Sequence, residues 1–246
     1  MSMTINSVSS RSRRILMVVA NPSVSTTLGW PVGFWASELI HPWHEFTEAG
    51  YQVAVASPRG GRVELDALSD PRDASGYSAG DLLSMGFLHT PALAALLEQT
   101  SRVEDHRAAD HDAIVVCGGQ SPMFTFPAEK PLHRLLAAFY AAEKVTAALC
   151  HGVAALLHVD TGDGTPLIRG RTITGFSNAE EDIADRLVGR TVMPFRIEDE
   201  ARKLGANFIS APAWREFAFR DGRLVTGQQQ YSGRAVARLV IEALGQ

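Results

Sequence analysis

A chain of 246 residues with 46% hydrophobic and 20% charged side chains has the make-up of a folded globular protein with a sizeable core. Its formal net charge of −4, with no obvious basic face, argues against nucleic acid as a partner, and no apolar stretch approaches a membrane span. Two cysteines, Cys117 and Cys150, are too few for a disulfide framework and point to a reducing, cytoplasmic setting. Residues 1–12 are polar and Ser-rich with no apolar centre, so they read as a disordered leader rather than a secretory signal, and residues 13–246 read as one α/β domain.

The first strand is expected over Arg14–Ala20, apolar without alternation, as when both faces are covered. After a Pro/Ser/Thr/Gly loop, Val32–Ala49 has helical spacing through Phe34, Leu39, Trp43 and Phe46, Gly50 closes it, and Pro42 should kink or split it. Gln52–Ser57 is a second buried strand. Residues 58–89 are loop-rich, longer than an incidental connection, and so expected to cover something. Thr90 and Pro91 open a helix carrying Leu93, Leu96 and Leu97. Asp112–Cys117 is a strand ending on Gly118-Gly119, Pro131–Glu143 a helix, and Val145–Leu149 another buried strand. Thr161–Thr174 carries turn signals of a hairpin or edge ribbon, and Asn178–Leu187 and Ile197–Leu204 are helical. Phe217–Arg220 and Arg223–Thr226 flank Asp221-Gly222 as a hairpin, and Tyr231–Leu244 is an amphipathic helix. Strands alternating with helices predict a mostly parallel sheet sandwiched by helices, with reacting groups beyond the carboxyl ends of the strands.

Cys150 sits alone at such an end. Strand Val145–Leu149 runs straight into a helical pattern over Gly152–His158, and Ala148 and Gly152 supply the small neighbours that a nucleophile elbow needs. A thiol at a helix N-terminus is expected to be biased toward thiolate. The competing reading is a buried structural cysteine, the commoner fate of a free thiol. The Cys150-His151-Gly152 corner favours the nucleophile.

Together these residues resemble the ThiJ/PfpI superfamily. The likeness rests on Ala148-Leu149-Cys150-His151-Gly152, on Gly118-Gly119 after a strand, and on Glu38 in the helix after the first strand. It rests also on Glu48-Ala49-Gly50-Tyr51 leading into Ala56-Ser57-Pro58-Arg59-Gly60-Gly61, and on Asp221-Gly222-Arg223-Leu224-Val225-Thr226-Gly227-Gln228. It runs over nearly the whole chain from Arg14. The resemblance implies a flavodoxin-like, class I glutamine-amidotransferase-like fold, and its heat-shock-31-like branch implies glutathione-independent glyoxalases, holding chaperones and protein deglycases that form homodimers.

Carried over residue by residue, Cys150 is the nucleophile and Glu38 a protonated carboxyl that donates to the sulfur. His151 is the base, and Glu181, in Thr174-Gly175-Phe176-Ser177-Asn178-Ala179-Glu180-Glu181, orients it. Glu180 stays open as the alternative. Gly118 and Gly119 suit an oxyanion hole, with Gln120 beside them for substrate and the His151 amide as a further donor. Without the resemblance, Glu38 would be a polar residue of an amphipathic helix, and Glu180-Glu181 a solvated pair at a helix start.

The chain departs from the family at Gly118-Gly119-Gln120-Ser121, at Gly227-Gln228-Gln229-Gln230-Tyr231-Ser232, at Val153 and at Cys117. These changes ring the inferred pocket and bear on substrate more than on machinery. His41, His44 and Glu45 could be spaced for a metal, but packing and surface roles suit them better. Cys117 could act as a resolving thiol, and Trp35 could line the pocket. The expected function is conversion of methylglyoxal or a similar small dicarbonyl to a 2-hydroxy acid, without metal or other cofactor. A cysteine-dependent hydrolase or hydratase and a non-catalytic redox-sensing chaperone are the other readings.

Overall fold

The computed structural model describes residues 12–245. The leader expected over residues 1–12 thus lies outside the described residues except for Ser12, whose hydroxyl donates to the Gly50 carbonyl at 2.6 Å. No helix among the described residues is long and apolar enough to cross a membrane.

A seven-stranded sheet runs in the order Ala218–Asp221, Leu224–Gly227, Val145–Leu149, Ala113–Val116, Arg14–Val18, Gln52–Ser57, Ser101–Arg102. Every pairing is parallel except that of the first two strands. The first strand in sequence lies inside the sheet and pairs with Gln52–Ser57 on one side and Ala113–Val116 on the other. Strands following the first are added on one side of it and then on the other, and it is at such a switch, at the carboxyl ends of the strands, that parallel sheets carry their crevice.

The missing alternation in Arg14–Val18 has a direct cause. Ile15, Met17 and Val19 enter a core with Leu39, Ile40 and Phe46 of the helix Ala36–Glu48 and with Val236 and Val240 of the helix Gly233–Ala243. Leu16, Val18 and Ala20 enter the opposite core, with Leu132, Leu136 and Phe139 of the helix Lys130–Ala141 and with Ala154, Ala155 and Leu156. Both faces are covered, so both sets of side chains are apolar.

Several local expectations are corrected. The first helix starts at Ala36 because Pro31–Val32 forms a short strand with Ser23–Val24. It continues unsplit through Pro42, whose buried ring lies against the last helix, where a Cβ on Gly233 would be 3.0 Å from Pro42 Cδ. The covering loop is shorter than expected, because Leu82–His89 is a helix capped by Asp81, whose carboxylate accepts from the Ser84 amide. Thr90 makes no cap bond; its hydroxyl donates to Gly86 instead, at 2.8 Å. The tail hairpin pairs Asp221 with Leu224, so the turn residues are Gly222-Arg223, one position later than the Asp-Gly signal suggests. Thr161–Thr174 yields one bridge, Asp160 to Pro166, and Thr172–Ile173 pairs in parallel with Asn207–Phe208.

The segment after the elbow, Cys150–His158, is helical but in the tighter 3-10 form. It runs directly under the neighbouring strand end. A Cβ on Gly152 would lie 2.6 Å from the Val116 carbonyl oxygen and 2.8 Å from Cys117 C, both backbone atoms that cannot yield without displacing the strand. Gly152→Ala is therefore expected to destabilise the protein by roughly 1–3 kcal/mol. Urea unfolding would show this as a lower midpoint at unchanged slope, and a wild-type midpoint would contradict the packing described.

Candidate active site

Cys150 occupies the corner between strand Val145–Leu149 and the 3-10 helix with φ of +54°. This left-handed conformation costs a non-glycine residue roughly 1–3 kcal/mol and is retained where the surroundings impose it. The imposing contacts come from Gly118. A Cβ there would lie 2.8 Å from the amide nitrogens of both His151 and Gly152, and 2.7 Å from Glu38 Oε2. The end of one strand and the turn of the next touch backbone to backbone, which only glycine permits.

Gly118 also ties the corner to the first helix. Its carbonyl accepts from the Trp35 amide at 3.0 Å, and its N–H donates to Glu38 Oε2 at 2.8 Å. Gly118 N–H is thereby taken, so of the two glycines expected to form an oxyanion hole only Gly119 remains free. Gly119 borders the pocket, and its N–H has no partner among the described residues.

Glu38 is fully buried, and burial raises its carboxyl from 4.5 to about 8, against the lowering effects of Cys150 and the Gly118 amide. At neutral pH it holds its proton. Oε2 already accepts from Gly118, while Oε1 is buried with no hydrogen-bond partner among the described residues. The proton therefore belongs on Oε1, and the carboxyl and the Cys150 thiol lie close enough for each to shift the other's ionisation. Burial, and then the charge of Glu38 whenever it ionises, push the Cys150 thiol well above its ordinary value, opposed by the His151 amide. This corrects the expectation of a resting thiolate: desolvation outweighs the helix N-terminus. The thiol must lose its proton as the sulfur reacts.

His151 Nε2 lies 3.0 Å from Glu181 Oε1, and both side chains are buried. The ring rests on Phe176, with centroids 4.3 Å apart. Glu181 is held from the helix Asn178–Val188, and its contact leaves His151 Nδ1 for proton exchange with a bound molecule. The neighbouring Glu180 is used differently. It completes a capping box with Ser177 and also accepts from the Trp214 amide and Gln228 Nε2, each at 3.0 Å. Between the two acids, geometry assigns the histidine contact to Glu181.

These groups meet at a cavity of about 190 Å³ lined by Gly119, Gln120, Cys150, His151 and Glu181 together with apolar side chains, Trp35 among them. A larger groove of about 540 Å³ shares Trp35, Tyr77 and Gln230 with it but does not include Cys150. Cys117 is fully buried in the other core, and burial raises its thiol well above normal. His41 contacts Asp81 at 2.9 Å, while Glu45 faces Arg234 and Arg238, so the candidate metal triad is divided among other partners.

Sequence reasoning missed Asp66. Its carboxylate accepts from the amides of Gly33 at 2.9 Å and Gln120 at 2.6 Å, and burial raises it to about 6. It fixes the backbone that carries Gln120 and joins the covering loop to the site. The only sequence signal was the unusual length of that loop. The segment Gln228-Gln229-Gln230 is likewise structural in part: Gln228 bridges Glu180 and Ala211, and Gln229 Nε2 donates to Arg215.

A model of the DJ-1/PfpI family matches residues 30–243. The chain is 29% identical over 221 residues to the glutathione-independent glyoxalase HSP31 of Saccharomyces cerevisiae, covering 88% of this chain and 91% of that protein. Among solved structures, it is similar to the Rapid Encystment Protein of 24 kDa from Francisella tularensis, with a TM-score of 0.85 and 29% identity over 95% of this chain and all 100% of that one. It is also similar to glyoxalase III from Candida albicans, with a TM-score of 0.79 and 27% identity over 94% and 97% of the two chains.

The neutral Glu38 has a consequence for stability. A carboxyl whose folded value is raised binds its proton more tightly when folded. Its contribution is therefore whole below 4.5 and is lost as pH rises through about 8. Glu38→Gln keeps an uncharged group in place, so the stability of wild type relative to this variant should fall over that window, by up to about 1.4 kcal/mol per pH unit. Denaturant unfolding at pH 5 to 8 measures it, and a difference independent of pH would contradict the neutral carboxyl.

Proposed function

Because the chain belongs to the DJ-1/PfpI family, we propose that it is a glutathione-independent glyoxalase that converts small reactive 2-oxoaldehydes to 2-hydroxy acids. The observation that carries the reading is the His151–Glu181 pair, 3.0 Å apart and bordering one cavity with Cys150. Such a pair suits a proton shuttle between adjacent carbons.

The chemistry follows from the groups present. Cys150 sulfur adds to the aldehyde carbon as its proton passes through His151 to the aldehyde oxygen, giving a hemithioacetal and leaving the imidazole neutral. The Gly119 N–H and the Gln120 side-chain amide, both from residues lining the cavity, are the donors this reading assigns to the two substrate oxygens. Glu38, neutral and uncharged, lies beside the sulfur without placing a second negative charge there. His151, oriented by Glu181, removes the proton on the aldehyde-derived carbon and returns one to the former ketone carbon, leaving a thioester. Water cleaves the thioester, releasing the 2-hydroxy acid and regenerating the thiol. The sum is RC(O)CHO + H2O → RCH(OH)COOH. The aldehyde carbon is oxidised and the ketone carbon reduced, so the electrons balance within the substrate.

A cysteine hydrolase or hydratase would draw on the same nucleophile. Relatives that carry glyoxalase names over most of the chain favour the glyoxalase reading, and a side-by-side assay on dicarbonyl and amide substrates separates the two.

Cys150→Ala and His151→Ala are each expected to abolish lactate formation from methylglyoxal. Glu181→Gln, which retains size but loses the charge facing the ring, should lower kcat by roughly a hundredfold or more. Stereospecific lactate assay checks all three. Turnover at the wild-type rate in either of the first two variants would remove the proposal.

A further inference from the structure

Resting on the glyoxalase reading, we propose that the pocket selects neutral 2-oxoaldehydes bearing an aryl or branched-alkyl group, phenylglyoxal being the simplest aryl member, over methylglyoxal and over anionic carbonyl compounds.

Charge is the first reason. Among the described residues no Lys or Arg lines the cavity, and its one acidic lining side chain, Glu181, faces His151. A carboxylate or phosphate on the substrate would lose its water with no cation to receive it. The product is itself an anion, so turnover generates a charge that the cavity does not hold.

Shape and surface are the second. Phe176 and Trp214 meet edge to face, centroids 5.7 Å apart at 66°, and Trp35 and Tyr77 do the same at 6.1 Å and 83°. All four rings line the cavity. Aromatic walls set at such angles suit a flat apolar ring. A methyl group reaches one carbon beyond the reacting ketone and leaves most of this surface wet.

The rim is an independent observation. Leu187 is 81% exposed, Tyr77 54%, Leu68 44% and Val188 40%, and all four border the same cavity. Clustered apolar side chains left in water at a pocket mouth mark a surface that gains by being covered. A bulky substituent extending outward from Cys150 covers it.

One neutral donor completes the recognition. The Trp30 indole N–H donates to Gln120 Oε1 at 3.1 Å. Indole is a donor only, which fixes the amide orientation and leaves the Gln120 NH2 group to present to a carbonyl oxygen.

Two measurements test this. First, kcat/KM for phenylglyoxal should exceed that for methylglyoxal by at least about tenfold in the wild-type protein. The exposed-rim double variant Leu187→Ser with Val188→Thr should reduce that ratio by about threefold or more. Second, unreactive acetophenone should quench tryptophan fluorescence saturably at concentrations where acetone and the anion benzoylformate do not. Methylglyoxal turnover with an equal or reversed preference, a ratio unmoved in the double variant, or tighter binding of benzoylformate would each overturn the selectivity. Selective binding of acetophenone with no turnover of either dicarbonyl would overturn the glyoxalase reading while supporting the selectivity.

Discussion

Gly118 is fastened at both of its backbone ends to the start of the first helix, its carbonyl to Trp35 and its N–H to Glu38. It also runs so close beneath the elbow that a single added carbon would strike two amide nitrogens. Three distant parts of the chain are joined there: the helix after the first strand, the end of strand Ala113–Val116, and the corner at Cys150. The contact sets the positive φ of Cys150 and places a carboxyl beside its sulfur. A loosened Gly118 would release both at once.

The arrangement forces a choice of charge. Two acidic groups, Glu38 and Cys150, share a dry space, and desolvation penalises the ionised form of each. Both stay neutral at rest. His151 and Glu181, which line the cavity with Cys150, then provide the proton traffic, while Asp66 accepts from the backbone amide of Gln120. The sulfur becomes nucleophilic only as its proton leaves, which ties reactivity to a molecule in the pocket. The same dryness that raises the thiol strengthens each hydrogen bond formed during the reaction.

Much of this was legible in the sequence, for identifiable reasons. The parallel strands announce themselves by apolar runs without alternation, because helices cover both faces. The elbow shows as small residues around Cys150, since close packing excludes larger ones. Glu181 and Glu38 could be named only through resemblance, as each acts across a long sequence separation that no local pattern encodes. Asp66 and the Trp30–Gln120 bond were hidden for the same reason: a loop carboxylate that accepts backbone amides leaves no periodic trace. Pro42 misled because the helix runs through it unbroken, its ring packed beside Gly233 of the last helix, and the helix Leu82–His89 lies inside what reads as loop. The 3-10 form of Cys150–His158 reflects the backbone contact at Gly152, a tertiary constraint that overrides helix propensity.

The central claim is that Glu38 holds a proton beside the reactive sulfur at neutral pH. Infrared difference spectroscopy between the wild-type protein and Glu38→Gln reads that proton directly. The account predicts a buried carboxylic-acid carbonyl band at pH 7 in the wild type, absent in the variant and fading as pH is raised through about 8. A difference spectrum showing only ionised carboxylate at pH 7 would contradict it.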